Sequence, residues 1–127
     1  MIYLTFQLVH PARVEDKMTI TELQTIAYVD AKERGFHSGE PSIWKFLGNL
    51  HSECSEAWEE ARKPDFNPNY TYYRDDGKPE GLPSELADIV IRAADTAETF
   101  GINLEAAILE KMEFNRTRPY RHGNKRA

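Results

Sequence analysis

The sequence predicts an all-α protein, a four-helix bundle, and three observations carry that reading. Apolar residues recur at helical spacing in four separate segments. Proline, glycine and capping residues punctuate those segments. Strand-like signals are weak everywhere except Ile2 to Val9. A chain of 127 residues suits one domain with one core, and four amphipathic helices can bury their stripes against one another in a bundle.

The first helix is expected after Thr19, with Glu22 three residues later as in a capping box. Leu23, Ile26, Ala27 and Ala31 form its apolar stripe, and Gly35 stops it. The second opens near Pro41-Ser42 and runs to about Arg62, where Pro64 prevents continuation. Ile43, Phe46, Leu47, Leu50, Cys54, Ala57, Trp58 and Ala61 share one of its faces. That pattern places Cys54 and Trp58 in the core. A linker rich in Asn, Pro, Tyr, Asp and Gly follows from Pro64 to Gly81; an irregular loop of that length tends to be functional or mobile, and its tyrosines Tyr70, Tyr72 and Tyr73 are candidates for a lid.

The third helix enters at Leu82-Pro83-Ser84, with Pro suited to a first turn. Leu86, Ile89, Val90, Ala93, Ala94, Ala97 and Phe100 make its inner face, and Gly101 ends it. Asn103 caps the fourth helix, whose Leu104, Ala107, Ile108 and Met112 point inward. The expected organisation is a leader over 1–18, one helical domain over 19–118 and a basic tail over 119–127.

Charge is unevenly spread. The net charge is −5, yet the stretch from Lys111 to the end carries six Lys/Arg against one Glu. An acidic body with a basic end is compatible with holding a metal–phosphate complex; it also fits a solvated surface with a frayed tail. No apolar run reaches the roughly 18 residues that a membrane span needs, so a membrane partner is not expected. The opening residues make a poor signal peptide. The single cysteine, Cys54, excludes an internal disulfide and a Cys-rich zinc site. A cytoplasmic setting is the expectation.

The informative residues are acids beside the apolar stripes. Glu53, Glu56 and Glu60 share a strip on the second helix; Glu85, Asp88 and Asp95 do so on the third, with Arg92 among them. Helical residues three apart hold their Cβ atoms about 5–6 Å apart, so two facing pairs would surround one small volume with carboxylates. Crowded carboxylates repel one another unless a cation sits between them, and all-oxygen ligation favours Mg²⁺ or Mn²⁺. A di-iron site would need Glu-x-x-His on two helices, and neither Glu53 nor Glu85 is followed by histidine three residues on. Solvated helix faces also carry Glu-x-x-Glu spacings, so either pair alone decides little. Arg92 and Asp95 read as an ion pair across one turn, and Asp30 as a helix-end residue in water.

Glu53-x-x-Glu56, then 28 residues, then Glu85-x-x-Asp88 resembles the paired acidic motif of the all-α nucleoside triphosphate pyrophosphohydrolases. That superfamily includes MazG proteins, dimeric dUTPases and phosphoribosyl-ATP pyrophosphatases. The segments Lys78–Asp88 and Lys111–Gly123 look like a MazG-like subgroup, and the resemblance covers roughly residues 19 to 124. The 28-residue spacing lies at the long end of that family's range.

The resemblance implies a MazG-type bundle assembled as a dimer or dimer of dimers, in which a neighbour can complete the site. It implies a Mg²⁺-dependent enzyme, with Mn²⁺ as a substitute, that converts a nucleoside triphosphate and water into monophosphate and pyrophosphate as nucleotide-pool housekeeping. Glu53, Glu56, Glu85 and Asp88 become the metal ligands, and Glu56 is the candidate for activating water. Lys111, Asn115 and Arg118 would meet the triphosphate, with Arg121 and His122 as helpers. Lys111 and Asn115 are four apart, in line with Leu104 and Ile108; a lysine there can also snorkel outward. Trp44, Trp58, Phe36 and His37 are candidates for a base pocket, since aromatic faces stack on bases. Arg92, Asp95 and Glu60 are expected to support the acidic strip.

Two other readings compete. The chain can be a non-catalytic helical interaction module whose acids keep one face soluble. A basic tail can also bind single-stranded nucleic acid, although the acidic body argues against that partner.

Overall fold

The computed structural model describes residues 17–121 and residue 126. Within them lie four helices: α1 (Ile20–Glu33), α2 (Ile43–Ala61), α3 (Leu82–Thr99) and α4 (Leu104–Thr117). Between α2 and α3 a small antiparallel hairpin joins β1 (Tyr72–Tyr73) to β2 (Pro79–Glu80), pairing Tyr72 with Glu80 and Tyr73 with Pro79. The chain is thus mostly helical, as expected. No helix among the described residues is long and apolar enough to cross a membrane. Ile2–Val9, the leader and His122 lie outside the described residues.

The helix ends follow their local chemistry. The Thr19 hydroxyl accepts the Glu22 amide at 3.1 Å, and the Asn103 side chain accepts the Ala106 amide at 3.0 Å. Each satisfies a donor that the first helical turn leaves unpaired. Gly35 follows α1 with a φ of 80°, a conformation open to glycine without steric cost. Gly81 precedes α3 with a φ of 109°, and a β-carbon there would run into the Tyr70 carbonyl oxygen. Only glycine lets the hairpin close against the start of α3.

Helix α3 is the centre of the packing, with α1 and α2 both laid against it. Ala27, Ala94 and Ala97 are the buried apolar residues among those described. Such small side chains let α1 and α3 approach closely. Gln24, 4% exposed, joins α1 to the α3–α4 turn: its amide donates to the Ile102 carbonyl at 2.8 Å and its oxygen accepts the Leu104 amide at 2.9 Å. Glu105 accepts the Ile20 amide and the Thr21 hydroxyl, fixing α4 to the start of α1.

Many expected core positions are open. Leu47, Trp58, Leu86, Val90 and Met112 are all exposed, Trp58 at 72%, and Cys54 is exposed as well. The assignment of Cys54 and Trp58 to the core is therefore corrected for this chain taken singly: α3 covers another strip of α2. Nor is the linker wholly irregular. The Tyr72 hydroxyl bridges Glu60 at 3.1 Å and Lys63 at 2.6 Å, and Lys63 pairs with Glu60 at 2.7 Å. Hydrogen bonds to Glu60 and then Tyr72 hold the Lys63 ammonium firmly protonated. The hairpin is strapped to the end of α2.

Candidate functional site

Three of the four motif acids converge. Carboxylate oxygens of Glu53 and Glu56 on α2 and of Glu85 on α3 lie within 4.8 Å of one another. Glu53 and Glu85 are buried and Glu56 is exposed, so the cluster opens to solvent on one side. The helix register explains this: Glu53 and Glu56 are one turn apart, and the Gly81 turn sets Glu85 opposite them in the first turn of α3. Asp88 is half-buried one turn further along and stands outside this closest group.

The acids crowd one another electrostatically. Glu56 holds its proton above the usual carboxylate range, first through a hydrogen bond with the Glu53 carboxyl, then through burial and the Glu53 charge. Burial raises Glu85, and the charges of Glu56 and Asp88 add to it. Asp88 is raised by burial and by Glu53. Unlike a set of ordinary surface acids, these groups gain by taking up positive charge, whether protons or a cation. The donors are oxygen alone, which fits a hard divalent ion such as Mg²⁺.

Arg92 has another partner than the one expected. Its Nε donates to Glu53 Oε1 at 2.9 Å, across from α3 to α2. Asp95 instead faces His37, whose Nε2 sits 2.8 and 3.1 Å from its two oxygens, and it accepts the Thr99 hydroxyl at 3.3 Å. The expected Arg92–Asp95 ion pair is thus replaced by two longer-range contacts. Glu60 belongs to the hairpin strap with Lys63 and Tyr72. Asp30 is exposed beside Arg34 near the end of α1, as its sequence position suggested.

His37 and Asp95 border a cavity of about 380 Å³ between the α1–α2 turn and α3, lined also by Phe36, Phe46, Lys45 and Arg92. The His37 ring is gripped edge-on by Tyr28 and Phe46, with centroids 4.9 and 5.6 Å away. The Arg92 guanidinium lies 5.5 Å from the Phe36 ring centre. Arg92 therefore touches both the cavity and the carboxylate cluster. Of the base-pocket candidates, His37 and Phe36 line this cavity, whereas Trp44 is 82% exposed and is not among its walls.

The expected phosphate-binding residues lie elsewhere. Lys111 and Arg118 flank the Phe114 ring at 5.5 and 6.0 Å, and Lys111, Asn115 and Arg121 are exposed. Helix α4 is fixed chiefly to α1, through Glu105 and the Gln24 contacts at its start. Within one chain these groups are not gathered with the acids. The motif reading also passed over Lys78 on the hairpin, whose charge opposes proton uptake by Glu56, Glu85 and Asp88. Two-residue strands carry too little alternation for the hairpin to be foreseen.

The fold and site define a small, mainly helical protein with an oxygen-donor cluster beside an aromatic-lined cavity. No family model matches the chain, and no curated protein or solved structure matches it either.

Proposed function

We propose that the chain is a Mg²⁺-dependent nucleoside triphosphate pyrophosphohydrolase. The observation that carries the reading is the convergence of Glu53, Glu56 and Glu85 from two helices within 4.8 Å. Glu53, Glu56 and Glu85 would hold the ion, with Asp88 one turn away as the fourth acid. A bound divalent ion supplies charge neutralisation at the phosphate oxygens and acidifies water.

The protein's own residues do the remainder. Glu56 is the exposed acid of the cluster, and its raised proton affinity suits it to receive a proton from water. Water oxygen bonds to the α phosphorus, the bridging oxygen leaves with pyrophosphate, and the water proton passes to Glu56. Choice of the α–β bond rests on the family resemblance described above. Arg92 fixes Glu53, and through it the orientation of the cluster. The cavity of His37, Phe36 and Phe46 adjoins the acids through Arg92 and would receive the nucleoside.

Self-association belongs to the same reading. Trp58, Leu47, Leu86 and Val90 are exposed on the two helices that carry the acids. Soluble monomers rarely leave large apolar areas open to water, so a second copy of the chain would cover them. A second copy would also bring Lys111, Asn115 and Arg118 to the phosphates. The same exposed side chains favour a second reading, a helical interaction module without catalysis.

The decisive experiment incubates the chain with a panel of nucleoside triphosphates and Mg²⁺. Products are scored for pyrophosphate against orthophosphate, with Glu85→Gln as control. Pyrophosphate formation lost in the variant supports the enzyme. Mn²⁺ uptake without turnover of any nucleotide favours the module.

A further inference from the structure

Arg92 stands on α3 one turn beyond Asp88, and one of its nitrogens is engaged: Nε donates to Glu53 Oε1 at 2.9 Å. No described residue accepts a hydrogen bond from Nη1 or Nη2. The side chain is 32% exposed, so these donors are open to a guest. The guanidinium carbon is held 5.5 Å from the Phe36 ring centre. A guanidinium carries its donors on a rigid fork, so anchoring Nε on Glu53 also restricts where Nη1 and Nη2 can lie.

Arg92 is also a wall between two hollows. The cavity of about 380 Å³ proposed for the nucleoside has Arg92 in its lining. A second hollow of about 290 Å³, between α1 and α3, is lined by Arg92 and by the motif acid Asp88. Phe36 and Asp95 belong to both. Among the basic residues that line either hollow, Arg92 is the one hydrogen-bonded to a motif acid. Arg34, on the second hollow, instead donates to the Asp30 carbonyl at the end of its own helix. A nucleotide with its nucleoside in the larger cavity and its outer phosphates at the acids has to pass Arg92 with the group that joins them, the α-phosphate.

We propose that Arg92 is a catalytic residue of this centre: Nε holds Glu53 while Nη1 and Nη2 donate to a non-bridging oxygen of the α-phosphate. The inference rests on the pyrophosphohydrolase reading above. It adds to the support of Glu53 a direct contact with the reacting phosphoryl group. Attack at phosphorus spreads charge over the equatorial oxygens, and donors already in place there lower the barrier. Arg92 itself makes and breaks no covalent bond. An ammonium is a point charge rather than a fork, so lysine can replace the Glu53 contact without serving both partners at once.

The test compares Arg92→Lys with the parent on the full chain, using the nucleoside triphosphate that the parent cleaves fastest. Mn²⁺ uptake is read by calorimetry and stability by melting. The variant keeps a cationic partner for Glu53, so it should take up Mn²⁺ and melt as the parent does. Its kcat should nonetheless fall by about 100-fold or more, with KM changed far less. Arg92→Gln, which keeps a donor for Glu53 without the charge, should show the same split and serves if the lysine variant does not fold. Parental kcat in Arg92→Lys overturns the proposal and leaves Arg92 as the partner of Glu53 alone. Loss of Mn²⁺ uptake in step with kcat also overturns it, by showing that Arg92 acts through Glu53. A parent chain that cleaves no nucleoside triphosphate sinks the enzyme reading and this inference together.

Discussion

Replacing Glu85 by Gln should stabilise the protein in chelator and destabilise it, relative to the parent, in Mg²⁺. The Glu85, Glu56 and Glu53 oxygens lie within 4.8 Å. At that separation a pair of like charges repels by about 3.5 kcal/mol at an effective dielectric of about 20, and by about 0.9 kcal/mol in bulk water. Because Glu56 is exposed and Arg92 offsets Glu53, the lower end applies, and the variant should gain about 1 kcal/mol. That corresponds to a rise of about 3–6 °C in melting temperature for a domain of this size. In Mg²⁺ at a hundred times its dissociation constant, the parent gains about 2.7 kcal/mol and the variant little, so their order inverts. Calorimetric melting of both proteins in chelator and in Mg²⁺ reads the effect. If Glu85→Gln melts below the parent in chelator, and Mg²⁺ shifts both equally, the cluster is neither repulsive nor a metal site.

Further outcomes follow from the same contacts. Glu56, Glu85 and Asp88 hold protons above their usual range, so the native state binds more protons than the unfolded chain. In chelator the stability this provides is greatest at acid pH and is lost as pH rises through the raised values. The advantage of Glu85→Gln over the parent should accordingly widen from about pH 4 to 7, and an advantage that shrinks over that range would count against the reading. Glu56→Gln should lower turnover by about 100-fold or more, the scale of a positioned base, and parental turnover would remove Glu56 from that role. Gln24→Leu removes the partner of the Ile102 carbonyl and Leu104 amide in a half-buried place, so urea unfolding should show a loss of about 1–2 kcal/mol. An unchanged midpoint would show that α4 is held by other contacts.

Much of the local architecture was legible in the chain. Thr19 and Asn103 announced their caps because an N-terminal turn draws its partners from within three residues. Pro64 and Pro83 bracketed the connection between α2 and α3 because backbone chemistry alone restricts where proline sits. Glu53, Glu56 and Glu85 were found because side chains one turn apart share a face and the two helices pack together. Partners far apart in sequence were not foreseeable. Arg92 meets Glu53 across 39 residues and His37 meets Asp95 across 58, contacts set by the register between elements. Periodicity identified the apolar stripe through Cys54 and Trp58, but it could not say which part of the stripe another helix of the same chain covers. The family resemblance set Lys111, Asn115 and Arg118 at the triphosphate, but their helix packs chiefly on α1, a pairing that motif spacing does not encode.

Arg92 reaches Glu53 with one nitrogen and holds its guanidinium carbon 5.5 Å from the Phe36 ring centre at the cavity wall. One guanidinium thus serves two neighbouring compartments. A guest that shifted Phe36 would tug on the carboxylate that Arg92 steadies, so on the proposed reading recognition and chemistry would share a hinge pin. A substitution of Arg92 would reach both compartments at once.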